Sequence, residues 1–279
     1  MNTKLRIALI ANTGMGNEVL KALLNCSNVV IDSLCARRLE GSFPYFEEEE
    51  IEDFAIRNGI NCFINVKANH QYYEYLKTRD VDIIIVASFH QILKSEIIKL
   101  PKFGFVNLHP SLLPLYRGPS PLNWVILNDE TKTGVTAHYL IEKIDAGNVL
   151  LQNEIDITRN ETIGSIFKKV SITAGQMVYE LIDLFAQTNC IPEGIPQNEV
   201  LATYLKKPDE VLREISYDFS FEKAFQTIRA FHPYPGSMIK INSEEHRIKD
   251  YSLSDPGSSD YRKFSFSNKE IFLLTEKIK

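Results

Sequence analysis

Short apolar runs bounded by turn residues constrain this chain more than any other feature. Leu5–Ala11 (LRIALIA), Val29–Ala36 (VVIDSLCA) and Asp82–Ala87 (DIIIVA) have strand length and little or no polar face. A strand that reads apolar almost throughout is covered on both sides, the condition of a parallel sheet with helices above and below. Between the first two runs, Val19, Leu20, Leu23 and Leu24 fall at helical spacing within Asn17–Asn25, and Phe105–Leu108 adds a further short strand. Strand alternating with helix predicts an α/β fold, a Rossmann-like domain with a mostly parallel sheet and right-handed crossovers. Ligands of such sheets bind beyond the carboxyl ends of the strands. The residues following Ala11, Ala36, Ala87 and Leu108 are therefore the first places to look for function.

Further along, Val135–Leu140 and Val149–Ile157 read as strands joined through the turn Asp145-Ala146-Gly147, and Ile163–Ala186 has long helical periodicity. The acidic stretch Glu47–Glu50 reads as the solvated start of a helix running to about Asn58. Asn189–Gln197 interrupts the apolar period with Pro and Gly and is the best boundary. Ser220 can cap a helix from Phe221 to about Ala230, after which His232-Pro233-Tyr234-Pro235-Gly236 breaks the chain into short strand-like pieces. The division expected for 279 residues is a catalytic domain over 1–187, a linker over 188–205 and a small C-terminal domain of helix plus short strands over 206–279.

The formal charge of −5 argues against an electrostatic nucleic-acid binder. No apolar run approaches the ~20 residues that span a bilayer, and the N-terminal run leads into a polar glycine turn rather than a cleavage site. Cys26, Cys35, Cys62 and Cys190 have no paired spacing, so buried thiols are expected in place of disulfides or a metal site. These features predict a cytoplasmic protein without membrane contact.

Two segments could carry chemistry. Gly14-Met15-Gly16 lies between a strand and a helix, where a phosphate could approach the backbone, and Arg37 and Arg38 follow the second strand. The third glycine of a dinucleotide fingerprint is replaced by Val19, which leaves an NADP-dependent reductase as a rival without a motif. Phe103–Asn128 (FGFVNLHPSLLPLYRGPSPLNWVILN) is more unusual. Asn107 and His109 stand two apart at a strand end and so point to one side, followed by a rigid segment rich in Pro and Gly. A carboxamide and an imidazole placed together supply an oxyanion donor and a base. Asp145, in Lys143-Ile144-Asp145-Ala146-Gly147, is the natural third member, since a carboxylate beside an imidazole favours its protonated form.

Asn107-Leu108-His109-Pro110-Ser111-Leu112-Leu113-Pro114, then Tyr116-Arg117-Gly118 and Gly134-Val135-Thr136-Ala137-His138 with Asp145-Ala146-Gly147, resembles the 10-formyltetrahydrofolate-dependent formyltransferases over most of residues 5–185. The resemblance implies a Rossmann-like formyltransferase domain in which Asn107, His109 and Asp145 are catalytic. It places the pterin of 10-formyltetrahydrofolate along Ser88–Leu93 and Tyr139–Asp145, with Ser88, Gln91, Ile92, Leu93, Tyr139 and Leu140 as contacts. His90 and His138 are expected to be structural or cofactor-lining.

The tail bears on the acceptor. Ile195-Pro196-Gln197, Ala202-Thr203-Tyr204 and Ile228–Gly236 resemble the region that follows the linker in methionyl-tRNA and sugar formyltransferases, and this extra length sets the chain apart from the glycinamide ribonucleotide enzymes. From Lys206 to Lys279 there are 13 Lys plus Arg against 12 Asp plus Glu, a near-neutral balance. That balance, with Pro119–Trp124 similar to the sugar enzymes, leads to an expected nucleotide-linked amino sugar as acceptor, no nucleic acid as partner, and a homodimer. Methionyl-tRNA formyltransferase stands as the alternative. Arg117 is the candidate for a nucleotide phosphate, and Trp124, Tyr45, Phe46 and Tyr234 for the sugar or base.

Overall fold

A computed structural model describes residues 4–46, 48–89, 91–188, 192–267 and 269–278. Glu47, His90 and Cys190, and residues 189–191 of the expected boundary, lie outside the described residues.

The first part of the chain runs β1 (Leu5–Ala11), α1 (Met15–Asn25), β2 (Val29–Ala36), α2 (Ile51–Arg57), β3 (Asn61–Ile64), α3 (Tyr73–Leu76), β4 (Ile83–Ala87), α4 (Ser95–Ile98), β5 (Phe105–His109), α5 (Pro121–Leu127), β6 (Lys132–Tyr139), β7 (Val149–Asp156) and α6 (Ile163–Thr188). Its seven strands form one sheet in the order β3-β2-β1-β4-β5-β6-β7. The first five are parallel, and β6 and β7 continue the sheet antiparallel. The mostly parallel sheet expected from the apolar runs is the one observed.

Alternation along β1 explains why its sequence carries no polar face. Ile7, Leu9 and Ala11 enter a core shared with α1 and α6, while Ala8 and Ile10 enter a second core with Tyr72, Leu76 and Ile97 on the other face. α2 begins at Ile51, later than the acidic stretch suggested, because Glu50 takes the cap position in extended backbone. Cys35 is buried and its thiol is pushed up to about 12 by desolvation; Cys26 and Cys62 are half-buried and free.

After α6 come β8 (Glu214–Ile215), α7 (Phe221–Phe231), β9 (Met238–Ile241), β10 (Glu244–Ser252), β11 (Tyr261–Phe266) and β12 (Lys269–Lys277), in a second sheet of order β11-β12-β10-β9-β8. β10 and β12 are nine residues each, longer than the short strands expected. Ser220 caps α7 by accepting from the Lys223 amide, as its position in sequence suggested. Phe225, Ile228, Ile248 and Phe266 form the core of this small unit. It is fastened to the first through Asn123, whose Nδ2 donates to the Ala230 carbonyl at 2.7 Å. Among the described residues no helix is long and apolar enough to cross a membrane.

Candidate active site

The β5–β6 register assembles the centre. Asn107 pairs with His138 and His109 with Thr136 across the two antiparallel strands. Directly opposed residues on one face have neighbouring Cβ atoms, and Asn107 Nδ2 lies 3.0 Å from His138 Nε2. The tautomer of His138 follows from its other nitrogen. Nδ1 is 2.9 Å from the Tyr139 carbonyl, which can only accept, so Nδ1 carries the proton and Nε2 accepts from Asn107. Burial, reinforced by the nearby His109, pushes His138 down to about 4, so it stands neutral beside Asn107.

Asp145 closes the group from the loop after β6. Its backbone is left-handed, with φ +48. Its Oδ1 accepts the second Asn107 amide proton over a longer 3.4 Å, and its Oδ2 accepts the Gly118 amide at 2.8 Å. The same Oδ2 lies 3.6 Å from His109 Nδ1, inside ion-pair reach but beyond a hydrogen bond. His109 Nε2 donates to the Tyr116 carbonyl at 2.9 Å, which leaves Nδ1 as the ring nitrogen facing Asp145. The Pro-rich loop that supplies Tyr116 and Gly118 is held from β6, where Thr136 Oγ1 donates to the Ser111 carbonyl at 2.6 Å.

The three residues line a cleft of about 620 Å³ at the carboxyl edge of the sheet, within the size range of small-molecule sites. Ser88, Gln91, Ile92, Leu93 and Leu140 line it as well, with Ile141 and Ile144 on the same side. Ile92 is 80% exposed, a large apolar side chain left open at the lip. Gln91 is held to the neighbouring loop, with its Nε2 on the Val66 carbonyl and its Oε1 accepting from the Ala68 amide, and so shapes the wall. Tyr45 lines the opposite side together with Leu122, Ile163 and Phe167.

Several expected contacts sit elsewhere. Arg117 is not available to a phosphate. It has no exposed surface; its Nε and Nη2 bind Gln197 Oε1 at 3.0 and 2.7 Å, and its remaining donors bind Glu199 and Tyr204. Trp124 lies outside the cleft lining, packs against the main core and donates its indole N–H to the Lys206 carbonyl at 2.7 Å. Tyr139 also lies outside that lining, with its hydroxyl on the Pro192 carbonyl. Phe46 and Tyr234 also lie outside that lining, in edge contact with Phe43 and Tyr45 respectively. Neither the motif stretch nor the family resemblance reports which way a side chain turns once the chain is packed. Arg38 is paired with Glu52 and Asp53, whereas Arg37 has no carboxylate partner among the described residues. The described residues hold no group of three or more potential metal ligands. Sequence reasoning missed the part played by Gln197, which donates to the Asp145 and Gly147 carbonyls at 2.8 Å each. Its only signal was the Ile195-Pro196-Gln197 match in the tail.

Comparison with known proteins supplies the context for this geometry. Residues 43–182 match the model of the formyl transferase family. Methionyl-tRNA formyltransferase of Clostridium acetobutylicum is 33% identical over 210 residues, covering 74% of this chain and 66% of that protein, just under two thirds of its length. The N-formyltransferase from Helicobacter canadensis, solved with folinic acid and dTDP-3-aminofucose, superposes with a TM-score of 0.73 at 19% identity, covering 98% of this chain and 100% of its own. Methionyl-tRNA formyltransferase from Clostridium thermocellum superposes with a TM-score of 0.63 at 19% identity, with 99% of both chains covered. At such identities the two superpositions report the fold alone. The expected nucleotide-sugar acceptor is overturned by the curated relatives, which at 31–36% identity are named methionyl-tRNA formyltransferases. The near-neutral tail misled because a summed charge near zero over one segment is compatible with either acceptor and says nothing of the rest of the chain.

Proposed function

The chain belongs to the formyl transferase family, and from that premise we propose that it moves a formyl group from 10-formyltetrahydrofolate to the amine of methionine carried on tRNA. The observation that carries the chemistry is the convergence of Asn107, His109 and Asp145 on the floor of one cleft. The folate supplies the formyl carbon that the acceptor amine attacks.

The cleft suits such a donor. The exposed Ile92, Ile141 and Ile144 beside Leu93 and Leu140 offer apolar cover for a flat ring system. The remaining steps belong to the protein. As the amine adds, negative charge grows on the formyl oxygen. The Asn107 proton held at 3.4 Å by Asp145 is the one that this oxygen can compete for, and a protonated His109 adds a cation beside it. Asp145, oriented by Gly118, accepts the proton leaving the amine; as the bond between the formyl carbon and the folate nitrogen breaks, that proton passes to the departing nitrogen.

The names of the curated relatives support the acceptor, and two features of the site agree with them. Leu122, Ile163, Phe167 and Tyr45 make an apolar lobe beside the trio, suited to a thioether side chain. Arg37, after β2 at the same sheet edge, offers a cation to a phosphate.

Incubation with 10-formyltetrahydrofolate and methionyl-tRNA, followed by hydrolysis and mass spectrometry, tests the reading. Formyl-methionine should appear only when the tRNA is charged. Its absence with a folded, folate-binding protein removes this acceptor.

A further inference from the structure

We propose that Gln197 is a positioning residue for the transfer, a brace from outside the catalytic sheet that sets Asp145 against His109. The inference rests on the formyl-transfer reading and not on which amine accepts.

All four hydrogen-bonding positions of the Gln197 side chain are committed. Its two Nε2 protons go to the Asp145 and Gly147 carbonyls, each at 2.8 Å. Its Oε1 accepts from Arg117 Nε and Nη2 at 3.0 and 2.7 Å. A primary amide has two donors and two acceptor lone pairs, so no freedom is left in this one. The carbonyls it grips flank the bend that aims the carboxylate. Asp145 has φ +48, in the left-handed region that Asp tolerates better than most residues and that the two bonds from Gln197 hold in place.

Arg117 joins that brace to the other partner. It is wholly buried, between two residues whose backbone groups hold the catalytic pair: the Tyr116 carbonyl accepts from His109, and the Gly118 amide donates to Asp145. The strap that carries Gln197 also holds this triplet by its main chain. The Arg117 amide donates to the Thr203 carbonyl at 2.9 Å, the Leu205 amide donates to the Arg117 carbonyl at 3.0 Å, and Thr203 Oγ1 accepts from the Tyr116 amide at 2.7 Å. Glu199 adds an ion pair from the same strap to Arg117 and to Lys143, two residues before Asp145. One segment after α6 thus fixes both sides of a 3.6 Å gap between His109 and Asp145. A merely structural staple would need the strap attached somewhere on the sheet; it would not need the attachment at these carbonyls.

Two near-isosteric variants test this. Gln197→Glu keeps the partner for Arg117 but replaces both donors by a carboxylate facing two carbonyls. Gln197→Met keeps the volume without that repulsion and serves if the first variant does not fold. Displacing a reacting group by about 1 Å costs roughly 100-fold. The expected result is therefore a kcat lower by about that factor, with the KM for the formyl donor nearly unchanged. In an Asp145→Asn background the same substitution should have little further effect, since Gln197 acts through Asp145. A kcat within threefold of wild type in either folded variant overturns the proposal, as does a loss that multiplies fully with that of Asp145→Asn. A second readout needs no turnover. The ring nitrogen NMR signals of His109 should move in both variants while those of His246 in the second sheet stay, and unmoved His109 signals overturn the proposal. A wild-type protein that formylates no amine counts against the functional reading instead, and the NMR comparison still decides the role of Gln197.

Discussion

Asn107 donates to His138 across 3.0 Å, and the direction of that bond is fixed because His138 keeps its own proton on the Tyr139 carbonyl. The pair works only while His138 is neutral, which burial secures by pushing it down to about 4 from 6.5. Charged, its Nε2 could no longer accept from the carboxamide.

This neutral histidine has a pH signature. Between pH 6.5 and 4 the unfolded chain binds a proton that the folded chain refuses, so stability should be complete above 6.5 and fall as pH drops toward 4. The full loss is on the order of 3 kcal/mol at 1.36 kcal/mol per unit. Urea unfolding of wild type and His138→Gln at pH 4.5 and 7.5 should show a flatter dependence in the variant. Parallel dependences would mean that His138 titrates normally in the fold.

Removing either member of the His109–Asp145 pair should slow transfer without loosening the donor. His109→Ala and Asp145→Asn are each expected to lower kcat by 10²–10⁴-fold, the usual contribution of an acid–base group. Folate affinity, read by fluorescence titration, should stay close to wild type, because the apolar walls are untouched. A residual rate above about a tenth of wild type would take the residue out of the chemistry.

Gly147 is fixed by contact. A Cβ there would stand 1.8 Å from the Tyr139 carbonyl, the same oxygen that accepts the His138 proton. Gly147→Ala must move that oxygen, and overpacking of this kind costs about 1–3 kcal/mol. We expect a lower melting temperature and a kcat loss together, since the shift releases the bond that orients His138. Unchanged activity at a lowered melting temperature would show that the His138 tautomer does not matter to turnover.

Arg37 should contribute through phosphate rather than through chemistry. Arg37→Ala is expected to raise the KM for charged tRNA several-fold with kcat unchanged, and to reduce the slope of log KM against log salt by about one contact. Arg38→Ala should do less, because Arg38 is already paired with Glu52 and Asp53. An unaltered salt slope in the Arg37 variant would remove it from the acceptor path.

Local pattern carried much of this protein. Leu5–Ala11 and Asp82–Ala87 announce a sheet covered on both faces, because a strand buried on each side has no polar alternation. Asn107 and His109, two apart on one strand, must share a side, and Ser220 caps its helix by backbone chemistry confined to one turn. What only the tertiary structure decided lies between segments distant in sequence. Arg117 meets Gln197 eighty residues on and turns from a presumed phosphate ligand into a buried clamp. The Asn107–His138 bond depends on strand register, and the strap that holds Asp145 is placed by its own bonds to Val149, Tyr116 and Arg117, all far from it in sequence. Such contacts depend on where segments arrive after packing, and no local period, cap or charge count encodes that.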